Sequence, residues 1–88
     1  ADVITLFVSE MSEKMDEMRA ATGPLTSDDF HFLKGSAANL GFVAMSRACD
    51  VAEAACRAGQ TPDLGAVTDA FQAALLEARP RLPELAAA

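Results

Sequence analysis

Only one histidine occurs among the 88 residues, and its neighbours are of the kinds that make an imidazole useful. In a helix, His31 shares one face with Lys34, Gly35 and Ala38, at spacings i+3, i+4 and i+7. An ammonium therefore stands one turn from the ring, beside a residue with no side chain. A glycine inside a helix costs about 1 kcal/mol relative to alanine. Gly35 makes sense there if another backbone or a ligand must come close. The face offers a nucleophile, a cation and cleared space. On the other side, Phe30, Leu33, Ala37 and Leu40 form an apolar stripe.

The wall opposite His31 follows from the next turn. Gly41 stops this helix, and another begins at Val43 or Ala44. Residues equidistant from a turn meet in an antiparallel pair. With the turn centred near residue 42, His31 faces Glu53, Lys34 lies level with Asp50, and Arg57 comes one turn beyond Glu53. A carboxylate that accepts Nδ1–H fixes the tautomer and leaves the Nε2 lone pair free. It also supports positive charge on the ring once Nε2 forms a bond.

Four helices are needed to hold this arrangement. The first runs from Asp2 to about Ala21, with Ile4, Val8, Met11, Met15 and Met18 as its apolar stripe and Glu10–Lys14 as an outward i,i+4 pair. Thr22-Gly23-Pro24 ends it. The second starts between Pro24 and Ser27, where Thr26 and Asp29 resemble a capping box with Asp in place of Glu or Gln. The third runs to Ala58, turning Met45, Ala48, Cys49, Ala52, Ala55 and Cys56 inward. It turns Arg47, Asp50, Glu53 and Arg57 outward, with Arg47 paired to Asp50. Gly59 ends it. Thr61-Pro62-Asp63 restarts the chain as a cap, a proline at the first helical position and an acid in the first turn. The fourth helix carries Leu64, Val67, Phe71, Leu75 and Ala78 inward until Pro80 and Pro83 break it. The expected fold is all-α, an antiparallel up-down-up-down four-helix bundle. It forms one domain over residues 1–88, with 79–88 a loosely ordered tail.

Composition narrows the function classes. Hydrophobic residues make up 51% of the chain, which argues against disorder. The formal charge of −6 disfavours nucleic acid as a partner. No apolar run reaches the roughly 18 residues of a membrane span. Cys49 and Cys56 lie about 10 Å apart along one helix, beyond disulfide reach. They read as buried thiols in a reducing, cytoplasmic setting. Two thiols and one histidine do not make a four-ligand metal site, so no metal is expected.

Beyond this reading, the chain resembles the histidine-containing phosphotransfer (HPt) domains of multistep phosphorelays. The resemblance rests on His31, Lys34-Gly35-Ser36, Asn39-Leu40-Gly41, Cys49, Glu53 and Arg57-Ala58-Gly59. It extends back through Leu6-Phe7 and covers Val3 to Gly59 in the right order and spacing. It implies that His31 accepts a phosphoryl group from an aspartate and passes it to another, as a phosphocarrier without kinase activity of its own. Glu53 would orient the ring, Lys34 and Arg57 would steady the phosphoryl oxygens, and Gly35 would clear the way for a partner. Ser36 is a secondary candidate for phosphate contact, although a helix-surface or backbone-bonded hydroxyl is the plainer reading. Asn39 and Gly41 cap and terminate the helix. The implied partners are response-regulator receiver domains and a hybrid histidine kinase, with Mg2+ bound by the receiver and no cofactor on this chain, which is expected to be a monomer. Two alternatives are the phosphorylatable domain of a chemotaxis-type kinase and a helical interaction module with a vestigial histidine. HPt domains often carry a short helix before the first bundle helix. The chain opens on the bundle helix itself, which leaves two readings open: a trimmed domain of a larger protein, or a bundle open at one end.

Overall fold

Breakers cut the chain into helices close to where the sequence places them. The computed structural model describes residues 3–78. They form α1 (Val3–Ala20), α2 (Ser27–Asn39), α3 (Val43–Arg57) and α4 (Leu64–Ala78). The architecture is the expected all-α four-helix bundle. α2 packs against α1 and α3, and α3 also packs against α4. The start at Asp2 and the tail over 79–88 lie outside the described residues.

Two glycines make the turns that set the helix register. Gly41 and Gly59 have φ of 75° and 74°, a left-handed conformation that a Cβ disfavours. After α2, Phe42 N–H donates to the Ala37 carbonyl at 2.9 Å and Gly41 N–H to the Ala38 carbonyl at 3.1 Å. After α3, Gln60 N–H donates to Ala55 at 2.8 Å and Gly59 N–H to Cys56 at 3.1 Å. Both are Schellman terminations, which satisfy carbonyls the helix leaves open.

Acids cap the starts of α2 and α4. Thr26 N–H donates to Asp29 Oδ2 at 2.9 Å, while Asp29 N–H donates to the Thr26 carbonyl at 3.1 Å. Lys14 of α1 reaches the other oxygen of Asp29 at 2.8 Å. Lys14 thus bonds across to α2 and not to Glu10, its expected partner, because Asp29 is already held in place by the cap. At α4 the expected arrangement shifts by two residues. Asp63 is the cap itself, accepting the Ala66 N–H at 2.9 Å, and Pro62 lies before the helix rather than in its first turn.

The core gathers Met11, Met15 and Met18 from α1, Phe30, Leu33 and Ala37 from α2, and Met45, Cys49 and Ala52 from α3. Val67, Phe71 and Ala78 of α4, with Phe42 of the turn, complete it. Ile4 departs from its expected place. It is 43% exposed, in the first turn of α1 and seven residues before the buried run that starts at Met11. No helix among the described residues is long and apolar enough to cross a membrane.

Candidate functional site

The site lies where α2 and α3 run side by side toward their common turn. Phe30, Leu33 and Ala37 anchor one face of α2 in the core, which leaves His31, three residues past Ser27–Asp28, on the open side. The imidazole side chain is 71% exposed. Its Nδ1 lies 3.3 Å from Glu53 Oε2, so the free edge of the ring, which carries Nε2, is left to solvent. One turn on, Lys34 bonds Asp50 at 2.8 Å. The pairs His31–Glu53 and Lys34–Asp50 step in opposite directions along the two helices, as an antiparallel register requires.

Glu53 departs from the sequence expectation in one respect. It was expected outward, yet its side chain is only 3% exposed. Spacing explains this. Glu53 follows Cys49 by four residues and precedes Cys56 by three, so it stands on the border of the apolar stripe. A lone buried carboxylate would be costly, and cationic groups close over this one. Arg57 donates to Oε2 at 2.6 Å, the i,i+4 pair of α3. Lys34 Nζ lies 3.6 Å from Oε1, beyond hydrogen-bond length. Oε1 is buried and has no hydrogen-bond partner. The convergence of three nitrogen groups on one carboxylate was not read from the sequence. The register count contained its signal, since Lys34 and Arg57 flank the His31–Glu53 level on either side.

Charges at the site are matched in pairs. The Asp50 hydrogen bond holds the Lys34 ammonium above its ordinary pKa, with Glu53 adding to the effect. Reciprocally, the Lys34 bond holds Asp50 below the ordinary carboxylate range. Asp50 therefore takes Lys34 as its partner, not Arg47 as expected; a cross-helix ammonium was available at bonding distance. Beneath the site, burial pushes the Cys49 thiol up to about 11, and the charge of Glu53 acts the same way.

The remaining expected residues separate into two groups. Gly35 is exposed on the His31 face, and a Cβ built there meets nothing within 4 Å. The space over it is open. Phe32 is exposed next to His31 as well. Ser36 lies elsewhere: it is buried at 6% on the core side of α2 and does not share the open face of His31. Asn39 is the last residue of α2 and Gly41 makes its termination, both beyond the site. Cys49 and Cys56 are free thiols.

Chemically, the arrangement presents one accessible imidazole edge. Its opposite nitrogen is turned to a carboxylate, and two cations lie within a turn. That suits transfer of an anionic group onto Nε2 from a large partner approaching over Gly35. No curated protein and no solved structure matches the chain significantly. The family model of the Hpt domain matches residues 2–81. With nearly the whole chain matched and a solvent-facing histidine at its centre, the chain belongs to the Hpt domain family, the histidine phosphotransfer carriers of two-component signalling.

Proposed function

We propose that His31 is the phosphoacceptor of a relay carrier that takes a phosphoryl group from one receiver-domain aspartate and delivers it to another. The observation that carries this reading is the exposed imidazole whose Nδ1 lies 3.3 Å from the buried carboxylate of Glu53. With Nδ1 protonated toward Glu53, the Nε2 lone pair attacks phosphorus. The N–P bond forms as the P–O bond to the aspartate breaks, and that electron pair leaves with the carboxylate. Nδ1 keeps its proton, and the positive charge on the ring faces Glu53. Lys34 and Arg57 take up negative charge on the phosphoryl oxygens. Gly35 admits the partner's loop. The receiver brings the Mg2+ that its own acidic site binds. The chain acts as a monomeric carrier with no kinase activity of its own, in the cytoplasm where receivers reside; its free cysteines fit a reducing compartment.

The test is phosphorylation of wild type and His31→Gln by potassium phosphoramidate and by phosphorylated receiver domains. Wild type acquires one phosphate, labile in acid and stable in base, as a phosphoramidate is. His31→Gln acquires none while keeping its helical circular dichroism. Acid-labile phosphate on His31→Gln would refute the assignment.

A further inference from the structure

The two cations of the site are not equally free. Arg57 is bonded at 2.6 Å to Glu53, which is buried. Lys34 is bonded at 2.8 Å to Asp50, whose side chain is 66% exposed. An exposed ion pair is weak and exchanges its partners readily, whereas a buried carboxylate keeps its cation. A second acceptor waits beside the lysine. Glu53 Oε1 is buried, lacks any hydrogen-bond partner and lies 3.6 Å from Lys34 Nζ. A small swing of the ammonium closes that gap. The swing also carries it along the groove from the Asp50 level to the Glu53 level, which is the level of the imidazole.

We propose that Asp50 is a positioning residue for phosphoryl transfer, holding Lys34 away from the His31 edge until a phosphoryl group on Nε2 draws the ammonium across. In the resting protein the lysine is shared unequally, bonded to Asp50 and only near Glu53. A phosphoryl dianion on Nε2 stands one turn from Lys34 on the same face of α2. It outcompetes one exposed carboxylate, because the ammonium then hydrogen-bonds a phosphoryl oxygen and the Glu53 Oε1 that lacks a hydrogen bond. Asp50 is left to solvent, where a carboxylate is well hydrated. The carboxylate thus sets how much of the lysine's charge the phosphohistidine receives, and its removal leaves Lys34 wholly to the site. This inference rests on His31 being the phosphoacceptor.

The experiment loads wild type, Asp50→Asn, Lys34→Ala and the double variant with potassium phosphoramidate. In that reaction Nε2 bonds phosphorus and ammonia leaves. The donor is then removed, and decay of the phosphohistidine is followed by 31P NMR. Asp50→Asn is expected to lengthen the lifetime by roughly two- to fivefold, the scale of one exposed ion pair. Lys34→Ala is expected to shorten it. The double variant is expected to decay like Lys34→Ala alone, because without the ammonium Asp50 has nothing to compete for. Melting temperatures should agree within a few degrees, so that a loosened bundle does not account for the change. Equal lifetimes for wild type and Asp50→Asn would overturn the proposal. So would a gain from Asp50→Asn that persists in the Lys34→Ala background, since that is simple repulsion and not competition for the lysine. Wild type that takes up no phosphate overturns the phosphoacceptor reading and this one with it. Label with unchanged decay overturns this one alone.

Discussion

Glu53 is where sequence, packing and chemistry meet in a single side chain. A carboxylate this deeply buried is tolerated because Arg57, Lys34 and His31 surround it, and in the proposed transfer the same carboxylate would orient the imidazole. Gly35 contributes the opposite quality, an absence. A Cβ there meets nothing in the protein, so packing gives no reason for glycine at that position. Gly35→Ala should therefore stabilise the bundle by up to about 1 kcal/mol, read as a rise in urea midpoint. Gly35→Leu should keep the fold as well, yet slow transfer from a phosphorylated receiver at least about tenfold, the scale of a small misplacement of reacting groups. Labelling by phosphoramidate, a donor too small to need the clearance, should change little. Equal loss with both donors would place the fault in the imidazole and not in docking. Full-speed transfer from the receiver would show that the open space is unused.

At the scale of the helix, most of the design is visible in the letters of the chain. The positive-φ glycines, the acids at the starts of α2 and α4 and the His31–Glu53 register follow from local rules, and the structure has each of them. Lys14 shows where local rules stop. Its i,i+4 partner Glu10 is a solvated neighbour worth a few tenths of a kcal/mol. Asp29, fifteen positions away, is already held by the Thr26 N–H and partly buried, so it offers a fixed acceptor. No pattern within one helix reveals a partner on the next. Partial burial works to raise the pKa of Asp29, but the Lys14 bond and the Thr26 N–H outweigh it and hold the group below the ordinary carboxylate range. A carboxyl depressed in the folded state stabilises the protein above its unfolded pKa of about 4. That contribution is lost as pH falls through the lower, folded value. Asp29→Asn should accordingly cost about 1 kcal/mol at pH 7. The gap to wild type should narrow as both are titrated from pH 5 toward pH 2 in urea melts. A constant gap across that range would mean that the charge of Asp29 contributes nothing.

Over the whole molecule, the sequence shows the sides of the bundle better than its ends and borders. The apolar stripes of α1, α2 and α4 place Met11, Leu33 and Val67 in the core, where the structure has them. Ile4 fits the α1 stripe by spacing and is nevertheless exposed, since periodicity assigns a face but not which of its turns are covered. Glu53 is the converse, a polar letter taken inward because its level on α3 brings the cations of two helices together. Cys49 lies on the inner side of α3, one turn before Glu53, and joins core to site. It is fully buried. Burial, with the Glu53 charge acting in the same direction, pushes its thiol up to about 11. At pH 8 only about one part in a thousand is then the thiolate that reacts. In the variant Cys56→Ser, where Cys49 is the single cysteine, native protein should resist Ellman's reagent at pH 8 and react promptly in concentrated guanidinium. The labelling rate should rise with denaturant in parallel with loss of helical circular dichroism, because access to Cys49 requires α3 to leave the core. Rapid labelling without denaturant would show that α3 opens locally beneath His31 and Glu53. The site would then be carried on a loose helix, not fixed by the packing that Met45, Cys49 and Ala52 supply.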